Sequence, residues 1–482
     1  MEKSLIDKNN SHIIVIFLGL FLSIVLSTYY VLKYDKYILD SHKHQLIKDE
    51  TRYHWFEGAK IAKDVREGKN FFLSGDTPYT KPLPQRIVGL YSLITGYELV
   101  DKWDHSVPRI SLEGKIPYLI LQALFYFFAV YYFSKRIIKI VPKRAFLFII
   151  LFLCLEPTIF QYHSSFWTES IYFSLHLIVL GMLFEKKLKF SYNFFIGILI
   201  GFSFLQRSVS LFYIVPVLLC YTFLFKQNFL KPFLGILSGY AIICIIIGSF
   251  NHHKTQIFSI MPPEGKWGLY TYFSVYVLAD KLNISPQEAR VIEADKSLQW
   301  LKANNIKLIQ VDGISLDVIS SGNSASSLIL DEKERYKFYD YISHRQYEIL
   351  LDSPLITIKH IIKATMHFMV LDPTFNHYYN TYRGLDREAV EFFLSKTHKN
   401  LIPFRISYTL IVYFFCFMGA VALYKKKKFY EFYLITLSVL YHVVLFGWYG
   451  KTRIFVPSLI YLSFFFGIGV DLLLSKFKQK IK

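Results

Sequence analysis

The run Asp49-Glu50-Thr51-Arg52-Tyr53 sets two carboxylates and a guanidinium within about one helical turn. Asp49 and Tyr53 are four residues apart and Arg52 is three from Asp49, so a helix would present them on one face. Elsewhere Glu169 opens an apolar run, Arg207 stands in Leu205-Gln206-Arg207-Ser208, and Arg453 precedes another apolar run. Lys81 precedes Pro82 in the stretch YTKPLPQR. Brought to one place, these groups would offer cations for an anionic head group and carboxylates for proton transfer. Each also has a plainer reading. Asp49 with Arg52 suits a solvated ion pair worth under about 1 kcal/mol, Arg207 and Arg453 suit snorkelling to an interface, and Glu169 suits the capping of a helix start.

The elements that must position them are membrane helices. Of 482 residues, 53% are hydrophobic, 18% aromatic and only 19% charged, against about a quarter charged in an ordinary soluble domain. Water-soluble and disordered classes are excluded. Apolar runs long enough to cross roughly 30 Å of hydrocarbon occur about ten times, near 13–32, 117–133, 146–161, 166–184, 190–205, 208–225, 233–250, 407–424, 429–448 and 455–474. The first is longer than a signal-peptide core and no small-x-small cleavage site follows it, so it reads as a retained anchor. Cys154, Cys220, Cys244 and Cys416 all fall inside these runs and read as small core residues.

The net charge of +19 would suggest nucleic acid in a soluble chain, but its placement says otherwise. Alternate connections hold Lys3 and Lys8, then Lys135, Arg136, Lys139, Lys143 and Arg144, then Lys186, Lys187 and Lys189, then Lys226 and Lys231, then Lys425 to Lys428, and last Lys476, Lys478, Lys480 and Lys482. Short connections on the opposite side hold only Arg207, Lys451 and Arg453. The positive-inside rule then puts both termini in the cytoplasm, as an even number of spans requires, and excludes a nucleic-acid partner. The Lys-, Ile- and Phe-rich composition leans towards a bacterial inner membrane.

Two long segments, about 33–115 and 251–405, therefore face outward, and segments of that length usually carry function. The first predicts an amphipathic helix over 46–67, with Trp55, Phe56, Ala59, Ala62 and Arg66 at near-helical spacing and Gly68 as its stop, lying at the membrane surface. In the second, Ser285-Pro286 and Glu288 form a capping box, and helices are expected over 332–351 and 354–370, the latter apolar enough to lie on a membrane. The paired His252 and His253 read as a solvated loop, and Glu156 before Pro157 has no motif around it. No Gly-rich phosphate loop, CxxC pair, HExxH, G-x-S-x-G or repeat period occurs.

Asp49-Glu50-Thr51-Arg52-Tyr53, followed some thirty residues later by Lys81-Pro82-Leu83-Pro84, resembles the first outer loop of lipid A aminoarabinose transferases. These belong with protein O-mannosyltransferases to the GT-C superfamily of membrane glycosyltransferases. Phe166 to Ser170, the Gly197 to Arg207 run and Arg453 to Pro457 add to the likeness, which covers mainly the first 230 residues and the last two spans. The resemblance implies an all-α polytopic membrane protein that transfers a sugar, with inversion, from a polyprenyl-phosphate-linked donor to a lipid, glycan or protein hydroxyl on the outer face. Asp49 would be the general base, with Glu50 beside it and Glu169 as a second acidic group near the acceptor or an optional metal. Arg52, Lys81, Arg207 and Arg453 would serve the donor phosphate, and Tyr53 would line the cleft. Thr80 stands where the aminoarabinose-transferase pattern has an acidic residue associated with metal, which weakens the case for a divalent metal; no other cofactor is expected. On this reading 1–250 form a transmembrane core with the outer catalytic loop 33–115, 251–405 a mixed, mainly helical outer domain, and 406–482 the last three spans. An O-antigen polymerase or ligase would lack the early Asp-Glu helix. A transporter would show inverted repeats and charges near mid-bilayer.

Overall fold

The computed structural model describes residues 11–40, 50–75, 82–97, 112–163, 168–225, 228–260, 273–306, 329, 331–371, 373, 398–449 and 452–481. In hydrocarbon a spanning segment must satisfy its own backbone, so the apolar runs close into helices. In chain order these are α1 (Ser11–Asp40), α2 (Glu50–Arg66), α3 (Pro82–Thr95), α4 (Leu112–Ile137), α5 (Lys143–Leu155), α6 (Pro157–His163), α7 (Glu169–Phe184), α8 (Phe190–Gln206), α9 (Ile214–Phe225) and α10 (Leu230–Thr255). There follow α11 (Val275–Leu282), α12 (Pro286–Ala303), α13 (Glu332–Leu351), α14 (Pro354–Met369), α15 (His398–Lys425), α16 (Phe429–Phe446) and α17 (Thr452–Ile481). Among the described residues there is no strand.

Among the described residues, seven segments are long and apolar enough to cross a membrane: α1, α4, α5 with α6, α10, α15, α16 and α17. Three apolar helices, Glu169–Phe184, Phe190–Gln206 and Ser208–Thr222, are shorter. At 16 and 17 residues, α7 and α8 fall below the roughly 20 of a full crossing. Their shortened ends are where Glu169 and Arg207 stand. The chain is thus an all-α polytopic membrane protein, and the ten apolar runs of the sequence fall on these helices. The Cys154, Cys220 and Cys416 thiols are free and buried, and Cys244 is free and half-buried.

Helices α8 and α10 meet through two Gly-x-x-x-Gly runs. A Cβ added at Gly197 would strike the Ile236 carbonyl, and one at Gly239 the Phe194 carbonyl. Contact advances the same way along both helices, from Phe190 against Gly235 to Gly201 against Ile243, so they run parallel. Small residues let backbones meet where lipid supplies no hydrophobic drive to associate. The glycines of the Gly197 to Arg207 run therefore serve packing. Gly239→Leu is expected to cost at least the 1–3 kcal/mol typical of overpacking, because the obstructing atoms are backbone. Thermal unfolding of the detergent-solubilised protein would read this as a lowered Tm, and an unchanged Tm would contradict the contact.

The two ends of the bundle differ in chemistry. At one, Arg136 pairs with Glu185 (2.5 Å), Lys186 with Glu431 (2.9 Å), and Lys428 Nζ donates to the Ile140 carbonyl (2.7 Å). The basic connections after α4, α7 and α15 are thereby gathered together. At the other end lie the α7 start, the α8 end and the helices α2, α3 and α11 to α14.

Pro157 interrupts the third apolar segment, and Glu156 repairs the break. Its Oε2 accepts the Ile159 N–H at 2.6 Å, capping α6, and its Oε1 accepts from the Tyr408 hydroxyl at 2.9 Å. Helices α12 to α14 begin where the sequence directs. Ser285 and Glu288 close the expected capping box at 3.2 and 2.7 Å, and α13 and α14 begin at the expected residues. Glu293, buried on α12, receives Arg345 Nε and Nη2 of α13 at 3.0 Å each, a two-pronged pair that joins the helices. Phe273, Leu278, Ala289 and Ile349 form a small core with Trp448, which fastens this layer to the turn between α16 and α17.

Candidate functional site

Glu169 is the first residue of α7, and Arg207 the residue that ends α8 in extended backbone (φ −149°, ψ 124°). A helix N-terminus carries partial positive charge and a C-terminus partial negative charge, so each end favours the side chain it holds. Arg207 Nη1 donates to Glu169 Oε1, and both residues are buried, at 5% and 0% exposure. Around the pair, Thr168 Oγ1 donates to Glu169 Oε2 (3.3 Å) and Gln206 Nε2 to the Thr168 carbonyl (2.9 Å). Arg207 Nε makes no hydrogen bond among the described residues. Arg207 is therefore not a side chain snorkelling to water: it is half of a buried ion pair, and Glu169 does more than cap a helix.

Behind the pair a polar seam enters the apolar core. The Arg207 guanidinium lies 5.8 Å from the Tyr172 ring centre. The Tyr172 hydroxyl meets Ser210 Oγ at 2.6 Å, and His176 Nε2 meets the same oxygen at 3.1 Å. His176 Nδ1 bonds the Tyr461 hydroxyl of α17. Beyond, Tyr213 meets Ser438 Oγ at 3.2 Å, and His442 Nδ1 donates to the Ser438 carbonyl at 2.9 Å. Four elements, α7, the stretch from Ser208 to Tyr213, α16 and α17, are tied by these bonds. Sequence reasoning passed over His176 and His442, although a histidine inside an unbroken apolar run is a signal by itself, since polar groups at that depth are costly.

Of the other residues, Asp49 and Lys81 lie outside the described residues. Glu50, Arg52 and Tyr53 occupy the first turn of α2, and Arg453 the first turn of α17. α2 packs on α3, with Gly58 and Ile61 against Val88 and Gly89. The sequence placed that helix at 46–67, and its described part is Glu50–Arg66. Helix α3, which starts at the residue after Lys81, rests in turn on α8, the helix that ends at Arg207. Leu83 and Ile87 pack onto the main core.

The intervening turn is fixed by Asp64, which accepts from Lys69 Nζ (2.7 Å) and the Gly75 N–H (3.1 Å). Partial burial works to raise the Asp64 pKa, but these bonds hold it below the ordinary carboxylate value. Arg86 donates to the Ser74 carbonyl (3.0 Å) and lies 5.6 Å from the Phe250 ring centre. Burial pushes its pKa down to about 10, against the opposing charge of Glu57, so it stays cationic at neutral pH.

Glu169 accepts from Arg207 and Thr168, and among the described residues no three His, Cys, Asp or Glu side chains gather at metal-binding distance. His252 and His253 are exposed.

Fold and site together define a polytopic membrane protein with a buried ion pair at one end of its bundle. No family model and no curated protein matches the chain. It is similar to the crystal structure of the Archaeoglobus fulgidus oligosaccharyltransferase in complex with Zn and sulfate, at TM-score 0.39 and 11% identity over 94% of this chain and 49% of that one. It is also similar to the archaeal oligosaccharyltransferase AglB from Archaeoglobus fulgidus in complex with an inhibitory peptide and a dolichol-phosphate, at TM-score 0.37 and 11% identity over 95% and 50%. The chain spans about half the length of these proteins, and at these scores the likeness adds no argument to the geometry.

Proposed function

We propose that the chain is a GT-C-type membrane glycosyltransferase that moves a sugar from a polyprenyl-phosphate-linked donor to a hydroxyl acceptor on the outer face of a bacterial inner membrane, with both termini cytoplasmic. The observation that carries this reading is the Glu169–Arg207 pair, held at the end of the helix on which the α2–α3 unit rests. On this reading the motif residues of the first outer segment act together with the charged ends of α7 and α8, at the bundle end away from the basic connections.

In the proposed step Asp49 takes the proton of the acceptor hydroxyl as its oxygen bonds to the anomeric carbon. The bond from that carbon to the lipid phosphate breaks on the opposite face, its electron pair leaves with the phosphate, and the configuration inverts. Arg52, Lys81 and Arg453 meet the charge that grows on the leaving group, where fixed cations in a low-dielectric cleft act strongly. Glu50 and Tyr53, on the same first turn of α2, line the acceptor side. Arg207, already balanced by Glu169, contributes to the phosphate side through its remaining donors.

Deleting the gene and analysing polyprenyl-phosphate sugars and surface glycans by mass spectrometry tests the reading. A lipid-linked monosaccharide should accumulate while one sugar disappears from a surface glycan, lipid or protein, and the wild-type gene should restore both. An unchanged lipid-linked pool with intact glycans would overturn it.

A further inference from the structure

Helix α14 is apolar on two opposite faces, and only one of them is used. Its inner face docks on the bundle: Phe368 is fully buried with its ring centre 5.3 Å from that of Phe455, Ile356 and Ala364 join the cluster with Trp448, and Thr365 lies against Gly447. The outer face carries Leu355, Ile358, Ile362 and Met366, which are 80, 52, 57 and 68% exposed. Their spacing of three, four and four makes one stripe, about 17 Å long at 1.5 Å per residue. Leu351, at the end of α13, is 77% exposed and extends it.

What covers this stripe is indicated by its surroundings. The inner face of α14 seats on Gly447, Trp448 and Phe455, where α16 ends and α17 begins, so the helix lies at the level where spans leave the bilayer. Exposed Leu440 and Val444 on α16 carry the apolar surface on from the same neighbourhood, and a spanning helix turns such residues to lipid. Lys359 and Lys363 lie along one edge of the stripe, both exposed. Lys359 Nζ is 3.8 Å from Asp280, which also accepts from His360 at 3.0 Å. An apolar stripe edged by lysines at bilayer level matches the pattern of a helix lying in the membrane interface.

We propose that α14 is an in-plane anchor whose stripe Leu355, Ile358, Ile362 and Met366 inserts among the lipids of the outer leaflet, with Lys359 and Lys363 binding anionic phospholipid head groups. The outer domain is thereby held against the bilayer on this side as well as through its contact with the α16–α17 turn. The inference is independent of the proposed reaction.

The test uses the full chain with Cys244→Ala, which leaves the buried native thiols, and one added cysteine carrying an environment-sensitive fluorophore. Ile362→Cys reports the stripe, and Lys302→Cys, exposed at the end of α12, serves as control. In vesicles containing phosphatidylglycerol, spin-labelled lipid should quench the label at 362 severalfold more than at 302, and aqueous iodide should do the reverse. Lys359→Glu with Lys363→Glu should reduce lipid quenching in phosphatidylglycerol vesicles and leave it unchanged in pure phosphatidylcholine. Iodide quenching at 362 equal to that at 302 would show the stripe in water and overturn the proposal. Protection of 362 from both quenchers would assign it to a protein partner and overturn it equally. Lipid quenching that ignores both lysines and anionic lipid would remove the head-group part.

Discussion

Asp49→Asn is expected to lower sugar transfer about 10²- to 10⁴-fold, the usual contribution of a positioned general base, or about 3–5 kcal/mol of transition-state stabilisation. Asparagine keeps the size and one acceptor oxygen but cannot take a proton at neutral pH. The loss should therefore fall on turnover, with expression, membrane insertion and donor affinity retained. The measurement is transfer from lipid-linked donor in reconstituted vesicles, normalised to inserted protein. Glu50→Gln separates the two neighbours: successive helix residues diverge by about 100°, so only one can face a given acceptor, and the change at Glu50 should be much the smaller. An Asp49→Asn protein with wild-type turnover would remove Asp49 from the chemistry. A reversed order of effects would transfer the role to Glu50.

Removing one partner of the Glu169–Arg207 pair is expected to destabilise the protein by about 3–5 kcal/mol, because the survivor becomes an uncompensated buried charge. Arg207→Met and Glu169→Gln should each lower the thermal midpoint in detergent or vesicles. The double variant should recover much of the loss, since it leaves no buried charge behind. The same proteins divide structure from chemistry. If Arg207 also serves the donor phosphate, the double variant regains stability without regaining transfer; if the pair only ties α7 to α8, both return together. Single changes that leave the midpoint untouched would contradict the burial of the pair, and a double variant no more stable than the poorer single would contradict the pairing.

The membrane class was legible in the sequence because lipid imposes a one-dimensional rule: long apolar runs become helices, and basic connections sort to one side. Local capping was legible for a similar reason. Ser285, Pro286 and Glu288 act within four residues of each other, so α12 begins where expected. Candidate residues were found in the same way, by noticing charge where charge is costly, and this singled out Glu169 and Arg207 individually. Their plainer readings, helix cap and snorkelling cation, were the natural ones while each was considered alone.

Their pairing needed the third dimension. Glu169 and Arg207 are 38 residues apart and meet only because parallel α8 and α10, locked at glycine, and the α7–α8 contact set where α8 ends. A helix's own period carries no record of which neighbour its glycines face, so the Gly197 to Arg207 run read as one motif although its glycines pack a helix and its arginine closes an ion pair. The seam through His176, Ser210 and Tyr461 joins residues up to 285 apart, and each looks unremarked inside an apolar run. Sequence alone determined that the chain crosses a membrane, which connections are basic and where the first outer motif lies, because solvent and local backbone geometry act on short stretches. Tertiary structure alone decided which buried polar groups satisfy one another, because desolvated charges and hydroxyls select partners by proximity in space.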